Sequence, residues 1–428
     1  MRAAYAVIGA HYGDEGKGQV TAWICRRLHE IYPDAKVLNV LTNGGCQRGH
    51  TVNIPERKFR HVFKHFGSGT PYGAHTHFGP EFVVNPMQFV KELDELEALG
   101  LKPVVSCGWH NRIQLPVDMA VNQYLERRRS VKGTEHGSVG FGVNETLLRY
   151  ERGMGSTFLK MASDADSNDI SFVDGITALS HDYAYDRVIE ETGEESAFKE
   201  FESEYCDYIS EDCHRHYADD LLRMSRRVNE GWDASRSYDH DFFVFENGQG
   251  LKIGQQTAVN FYHCTPSDTG AFSVLRAMSD MKLIGCNADD RTKVDRVVPV
   301  YVTRTYMTRH GAGPFAVQET SEPPFGEKPD ETNVPNDFQG SIRYAKLSGR
   351  WEFNAVLDDM FRFRSTCVPQ CDVKPMLAVT HAVDRSMELM ASFLPWDPNV
   401  TFSADQPEEF EMDSDFFQPN NNKPPCIR

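Results

Sequence analysis

A carboxylate set inside a glycine-rich turn is the feature of this sequence most able to do chemistry. Residues 9–18 read Gly-Ala-His-Tyr-Gly-Asp-Glu-Gly-Lys-Gly, after an apolar run at residues 3–8 and before a helix-like stretch. A strand, a glycine turn and a helix in that order cradle phosphates. The glycines let backbone N–H groups close on an anion, the helix start adds its positive end, and Lys17 supplies a point charge. The P-loop pattern G-x-x-x-x-G-K-[ST] does not fit, because it needs glycine at His11 and Ser or Thr at Gly18. Asp14 stands in the turn instead. Beside a polyphosphate an aspartate is repelled unless it holds Mg²⁺ or takes a proton from a substrate, so chemistry is expected as well as binding. A solvated turn aspartate is the bland alternative. A second group is His50, in Gly49-His50-Thr51, which reads as a general acid or hydrogen-bond donor or, taken alone, as a satisfied loop histidine.

The elements that must position these groups alternate along the chain. Strands are expected near 3–8, 36–41, 82–85, 103–106, 242–246, 297–303 and 376–379, and helices over 18–31, 86–99 and 267–283. This predicts an α/β fold, a largely parallel central sheet with helices on both faces and ligands at the carboxyl ends of the strands. The glycine loop, His50 and Gln249 all fall at such ends. Residues 195–230 read as a peripheral helical excursion, 316–343 as a mobile substrate loop and 414–428 as a polar tail, within one domain spanning 1–428.

A chain of 428 residues with 40% hydrophobic content can bury a large core. Its net charge of −17 argues against a nucleic-acid groove or an anionic membrane surface, so an anionic ligand must be gripped by local positive groups. Small molecules are the expected partners. No apolar run reaches the length of a membrane span, and the first reads as a buried strand, so a cytoplasmic protein is expected. The ten cysteines form no C-x-x-C pair. Cys367 and Cys371 could ligate a metal with histidines, but two thiols without a second pair read as plain thiols. The end at Cys426-Ile427-Arg428 is too short for a prenylation signal.

The first segment resembles the adenylosuccinate synthetase signature G-x-x-x-G-D-E-G-K-G. Three others follow in the family's order. Asn43-Gly44-Gly45-Cys46-Gln47-Arg48-Gly49-His50-Thr51 is similar to GG-x-N-A-G-H-T, Phe245-Glu246-Asn247-Gly248-Gln249-Gly250 to F-E-G-A-Q-G, and Thr308-Arg309-His310-Gly311-Ala312-Gly313-Pro314-Phe315 to T-R-V-G-A-G-P-F. The resemblance implies a ligase that joins L-aspartate to C6 of a 6-oxopurine nucleotide. It makes Asp14 the base at N1 and, with the Gly49 carbonyl, a ligand of Mg²⁺. It places His50 between O6 and the β,γ-phosphates, with Lys17 on the phosphates. Gly13, Glu15, Gly16, Gly18, Gly49 and Thr51 would line the phosphate site, Gln249 would meet the base, and Thr265 the monophosphate. It also implies a homodimer in which an arginine, Arg149 or Arg152, reaches the partner's nucleotide.

Three departures bear on the substrate. Where the family carries four arginines and Thr-Gly-Trp, this chain has Phe338-Gln339-Gly340-Ser341-Ile342-Arg343-Tyr344. Gln339, Gly340, Ser341 and Arg343 then form the aspartate-binding element, and a weaker demand for a 2′-hydroxyl makes a deoxyribonucleotide plausible. The loop G-T-T-G-R-G-I-G-P becomes a longer segment at 133–143, and its Ser138 or backbone either accepts a 2-amino group or closes the loop. The T-K-x-D motif that reads guanine in GTP becomes Thr380-His381-Ala382-Val383-Asp384, so ATP or dATP is as good a donor as GTP; Thr380, His381 and Asp384 would face its base. Together these resemble the phage-type 2-aminoadenylosuccinate synthetases, which act on dGMP, although some members of that branch lack the loop aspartate. The alternatives are IMP with GTP or, in another class, a non-catalytic nucleotide-binding regulator, which predicts loss of Asp14, Lys17 and His50. All three are present.

Overall fold

The apolar residues Ala3–Gly9 form a strand buried along its whole length, flanked on both sides by other strands. In this computed structural model the described residues are 2–108, 110–166, 170–229, 239–257, 261–285, 292–315, 317–324, 338, 340–347, 350–367, 371–381 and 399–402. The strands of the central sheet, in chain order, are β1 (Ala3–Gly9), β2 (Val37–Gly44), β3 (His75–Val84), β4 (Val105–Cys107) and β5 (Val228–Asn229). They continue with β6 (Phe242–Gly250), β7 (Arg296–Arg304), β8 (Met376–Thr380) and β9 (Asn399–Phe402). Their spatial order is β9-β8-β7-β1-β6-β2-β3-β4-β5, and every pairing is parallel.

Parallel strands need crossovers, and helices supply them on both faces. Ala3, Tyr5 and Val7 of β1 point into one apolar layer, with α1 (Lys17–Ile31), α2 (Pro86–Ala98) and α3 (Pro116–Lys132). That layer continues through α5 (Phe158–Asp166), α6 (Ile170–Thr192), α7 (Glu195–Tyr205) and α8 (Glu211–Arg227), with α4 (Val143–Glu151) between α3 and α5 in the chain. Ala4, Ala6 and Ile8 point the other way, onto α9 (Ala271–Asp280) and α10 (Asn354–Cys367). The period of two along a strand thus divides one apolar run between two cores. The expected α/β architecture is borne out.

Three boundaries differ from expectation. β3 begins at His75 and not near 82, because its first half is polar and carries Gly79-Pro80; an extra residue there, between the pairings Leu41↔Phe78 and Asn43↔Glu81, lets proline sit outside the ladder. α9 starts at Ala271 and not at 267, since Gly270 adopts φ +63 and ends the preceding turn. Both ends of the segment expected as a mobile loop are strands: Arg343–Lys346 pairs with Tyr306–Arg309 on one side and with Glu319–Thr320 on the other, in a small antiparallel sheet. The tail at 414–428 lies outside the described residues. His50–Ile54 and Phe59–Phe63 form a separate two-stranded hairpin. Cys367 and Cys371 are buried free thiols.

Candidate active site

The glycine loop leaves β1 and enters α1 through Gly16, whose φ of +94 suits glycine. Its carbonyls are pinned from behind. Thr308 Oγ1 donates to Gly13 O at 2.7 Å, Arg304 Nε to Asp14 O at 2.6 Å, and Thr380 Oγ1 to Glu15 O at 2.6 Å. Beyond the loop, the first amides of α1 have no carbonyl within the helix and are suited to an anion.

Glu15 is buried and shapes the loop from inside. Its carboxylate accepts the N–H groups of His11 (3.1 Å) and Gly13 (2.9 Å) and an N–H of Lys17 Nζ (2.8 Å). Burial alone would raise its pKa, but Lys17 and these amides hold it below the usual carboxylate range. Asp14 is half-buried in the left-handed region, at φ +60. Gly18 lies so close to His50 that an added Cβ would sit 2.8 Å from that residue's Cβ, which brings the loop and the histidine together.

His50 opens the hairpin, and its Nδ1 is 2.5 Å from Oε1 of Glu246, in the middle of β6. Ser68 gives Glu246 its hydroxyl (2.5 Å) and its amide (3.1 Å), and Arg48 Nη1 lies 3.7 Å away. Burial would raise the Glu246 pKa; Arg48 and the bonds from His50 and Ser68 outweigh it and bring it to about 2. Burial pushes the His50 imidazole down to about 4, with Glu246 opposing and Arg48 and Lys17 adding to the fall. A neutral ring next to a carboxylate donates from Nδ1 and leaves Nε2 as an acceptor. That Nε2 is buried without a hydrogen-bond partner among the described residues.

Sequence reading quoted Glu246 only as part of a motif and gave it no role. The available signal was a charged residue closing the run Phe242-Phe243-Val244-Phe245, since a carboxylate buried there requires partners.

A model of the adenylosuccinate synthetase family matches residues 6–333. The chain belongs to this family. Among its relatives, the adenylosuccinate synthetase of Borrelia turicatae is 30% identical over 138 residues, 32% of this chain and 30% of that protein. That of Halobacterium salinarum is 27% identical over 319 residues, 73% of this chain and 65% of the relative. The chain thus spans less than a third of the Borrelia protein. A fully ligated adenylosuccinate synthetase from Plasmodium falciparum shares the fold, with a TM-score of 0.57 at 14% identity over 89% of this chain and 76% of that one. A cyanophage S-2L succinoaminodeoxyadenylate synthetase bound to dGMP and dATP as an energy donor gives 0.55 at 12% identity, covering 96% and 95%.

Other residues that the family resemblance singled out fall into two groups. Gln249, at the end of β6, accepts from Asn43 Nδ2 (2.9 Å), which also reaches Ser267 Oγ (3.1 Å). The Thr265 N–H bonds the Ile253 carbonyl, and Thr51 lies in the hairpin beside His50. These gather near the loop end of the sheet. Elsewhere the side chains are committed to holding the fold. The Ser138 hydroxyl donates to Asn122 (2.8 Å) and accepts from Gly140 N, which is loop closure. Arg343 donates to the carbonyls of Gly311 and Gly313 and to Glu319, and His310 to the Gly340 carbonyl. Ser341 is exposed. Thr380 pins the glycine loop, and His381 bonds it at 3.0 Å. Gln339 and Asp384 lie outside the described residues.

Of the two arginines that the resemblance names, Arg149 is turned into the fold. It is 1% exposed and is spent on Asp118, Ile113 O and Met154 O. Arg152 pairs with Glu190 near the surface. Among the described residues no group of three His, Cys, Asp or Glu side chains converges on a metal-sized site. The donor set of Asp14 and the Gly49 carbonyl suits Mg²⁺, which is commonly held by one or two carboxylates and by substrate phosphates. No described helix is long and apolar enough to cross a membrane.

Proposed function

We propose that the protein is a ligase that joins L-aspartate to C6 of dGMP at the expense of ATP or dATP, giving N6-succino-2-amino-2′-deoxyadenylate in the cytoplasm. The observation that carries this reading is the His50–Glu246 pair beside the pinned loop of Asp14 and Lys17. Oxide is a hopeless leaving group, so O6 of a 6-oxopurine must be phosphorylated before an amine can displace it. Asp14 takes the proton from N1 and lets O6 attack the γ-phosphate. Lys17 and the first amides of α1 hold the phosphates. An anion beside Nε2 of His50 favours its protonated form, which donates to the charge developing there.

Asp14 and the Gly49 carbonyl would hold Mg²⁺, whose charge, when bound, neutralises that of the phosphates. Gln249 and the loop at 133–142 face the base, and the residues around Ser341 face the ribose and aspartate. The reduced cationic character of that last element, and a phage enzyme of the same fold that binds dGMP and dATP, support a deoxyguanylate substrate. A homodimer is part of the proposal, with Arg152, the more exposed of the two arginines, exchanging Glu190 for the partner's nucleotide. The second reading is IMP with GTP, favoured by the relatives named adenylosuccinate synthetase.

Phosphate release with L-aspartate and Mg²⁺, crossing dGMP, GMP, dIMP and IMP against ATP, dATP and GTP, tests both. Preference for dGMP is expected. Preference for IMP with GTP overturns the deoxyguanylate assignment, and no release with any pair makes the chain a nucleotide-binding regulator.

A further inference from the structure

An arginine, Arg48, stands where the family segment GG-x-N-A-G-H-T carries alanine. It is 2% exposed. Its Nε donates to the Lys64 carbonyl at 2.7 Å and its Nη2 to the Phe66 carbonyl at 2.6 Å. Nη1 faces Glu246 Oε1 at 3.7 Å and has no hydrogen-bond partner among the described residues. Arg48 precedes the first strand of the His50 hairpin, and Lys64 and Phe66 follow the second, so the side chain closes the hairpin's open end. Ser68, two residues beyond Phe66, supplies the other donors to Glu246.

The hairpin is not a member of the central sheet. Two strands alone are marginally stable in water, so its seat on the sheet depends on what ties its base down. At that base, main-chain carbonyls, a buried cation and a buried anion meet, and the anion also holds the imidazole. A buried carboxylate with one partner removed is costly and seeks another arrangement.

We propose that Arg48 is a positioning residue that seats the His50 hairpin against the middle of β6, closing the hairpin and holding the Glu246 carboxylate so that the imidazole Nε2 keeps one direction. This rests on the reading of His50 as the group that meets the substrates. Arg48 acts through Glu246, and the two therefore form one unit.

The test is a mutant cycle in the full chain with Arg48→Met, Glu246→Gln and the double variant, read by phosphate release and by the His50 Nδ1–H resonance in ligand-free protein, identified by its loss in His50→Asn. Arg48→Met is expected to lower kcat about thirtyfold while leaving KM for nucleotide and triphosphate within about twofold. The double variant is expected to be no slower than Glu246→Gln alone, and the resonance to broaden in Arg48→Met. Arg48→Lys keeps the cation and is expected to retain the resonance and kcat within about fivefold. Additive losses, an effect on KM alone, or an unchanged resonance in Arg48→Met overturn the proposal. Should Arg48→Met fail to fold, Arg48→Lys decides: loss of its resonance overturns the proposal. Wild-type protein that releases no phosphate but shows the expected resonances overturns the functional reading and leaves the seating of the hairpin intact.

Discussion

The glycine loop at 9–18 and the loop at 133–142 end alike, each entering a helix through a left-handed glycine, Gly16 at φ +94 and Gly142 at φ +72. They are fastened differently. The first is pinned by Arg304, Thr308 and Thr380, which lie 290, 295 and 365 residues along the chain. The second is held mainly by the helix just before it, where Glu126 accepts the amides of Gly137 and Ser138, Asn122 takes the Ser138 hydroxyl, and Gln123 donates to Gly140 O, while the more distant Tyr262 and His263 reach the carbonyls of Thr134 and His136 in its first half. A loop pinned by distant strands cannot change without loosening the sheet. A loop held by its own helix can be rebuilt with that helix. This explains why the phosphate loop keeps the family signature while the loop proposed to face the base has drifted in length and composition.

Four changes would break or sharpen that contrast. Asp14→Ala, which leaves every pinned carbonyl in place, is expected to lower phosphate release by about two to four orders of magnitude with an unchanged unfolding midpoint. Full activity would mean that the substrate supplies its own base. Glu15→Gln strands Lys17 as a buried unpaired charge and should cost about 3–5 kcal/mol in urea unfolding; a cost below about 1 kcal/mol would remove the claim that Glu15 locks the loop from inside.

In the other loop the balance should reverse. Asn122→Ala is expected to raise KM for the purine nucleotide about tenfold and to alter the ratio of dGMP to IMP turnover, with stability changed by about 1 kcal/mol. Equal loss of stability in Glu15→Gln and Asn122→Ala would erase the distinction. Ser341→Arg, in the exposed segment, should raise preference for ribonucleotides several-fold.

The smallest effect concerns another remote fastening. Asp359 of α10 accepts the Ala271 N–H at the start of α9 and the Tyr301 hydroxyl. Burial raises its pKa from 3.8 to about 7, against the pull of those two bonds. A folded-state value above the unfolded one stabilises fully below about 3.8 and is lost as pH rises through about 7. Wild-type melting temperature should therefore fall by about 2–4 °C between pH 6 and 8, and Asp359→Asn should flatten that slope.

Much of the scaffold was legible before its geometry. Apolar runs at 3–8, 242–246 and 297–303 mark central strands because parallel strands are covered on both faces. β3 was read late because His75, Thr76 and His77 carry no apolar signal, although Thr76 and His77 are buried. At the site, Asp14, Lys17 and His50 could be singled out because glycine spacing and residue chemistry are local. Glu246, Ser68 and Arg48 could not be joined to them, since His50 and Glu246 are 196 residues apart and meet only through sheet order. The internal partners of Glu15 and Arg149 were hidden for a related reason. A charged side chain in a motif looks like a ligand-binder until its buried partners are known.

The place of β1 in the sheet also has a consequence during synthesis. Its two neighbours are residues 242–250 and 296–304, so it has no strand to pair with until more than two hundred further residues have been made. At about 5–20 residues per second, the apolar segment Ala3–Gly9 waits roughly ten to fifty seconds for β6 to emerge. Through that interval it is an unprotected strand with both edges open. Slow growth temperature and chaperone supply should therefore govern how much of this protein reaches its folded state in a cell, independently of how stable that state is once the sheet has closed around it.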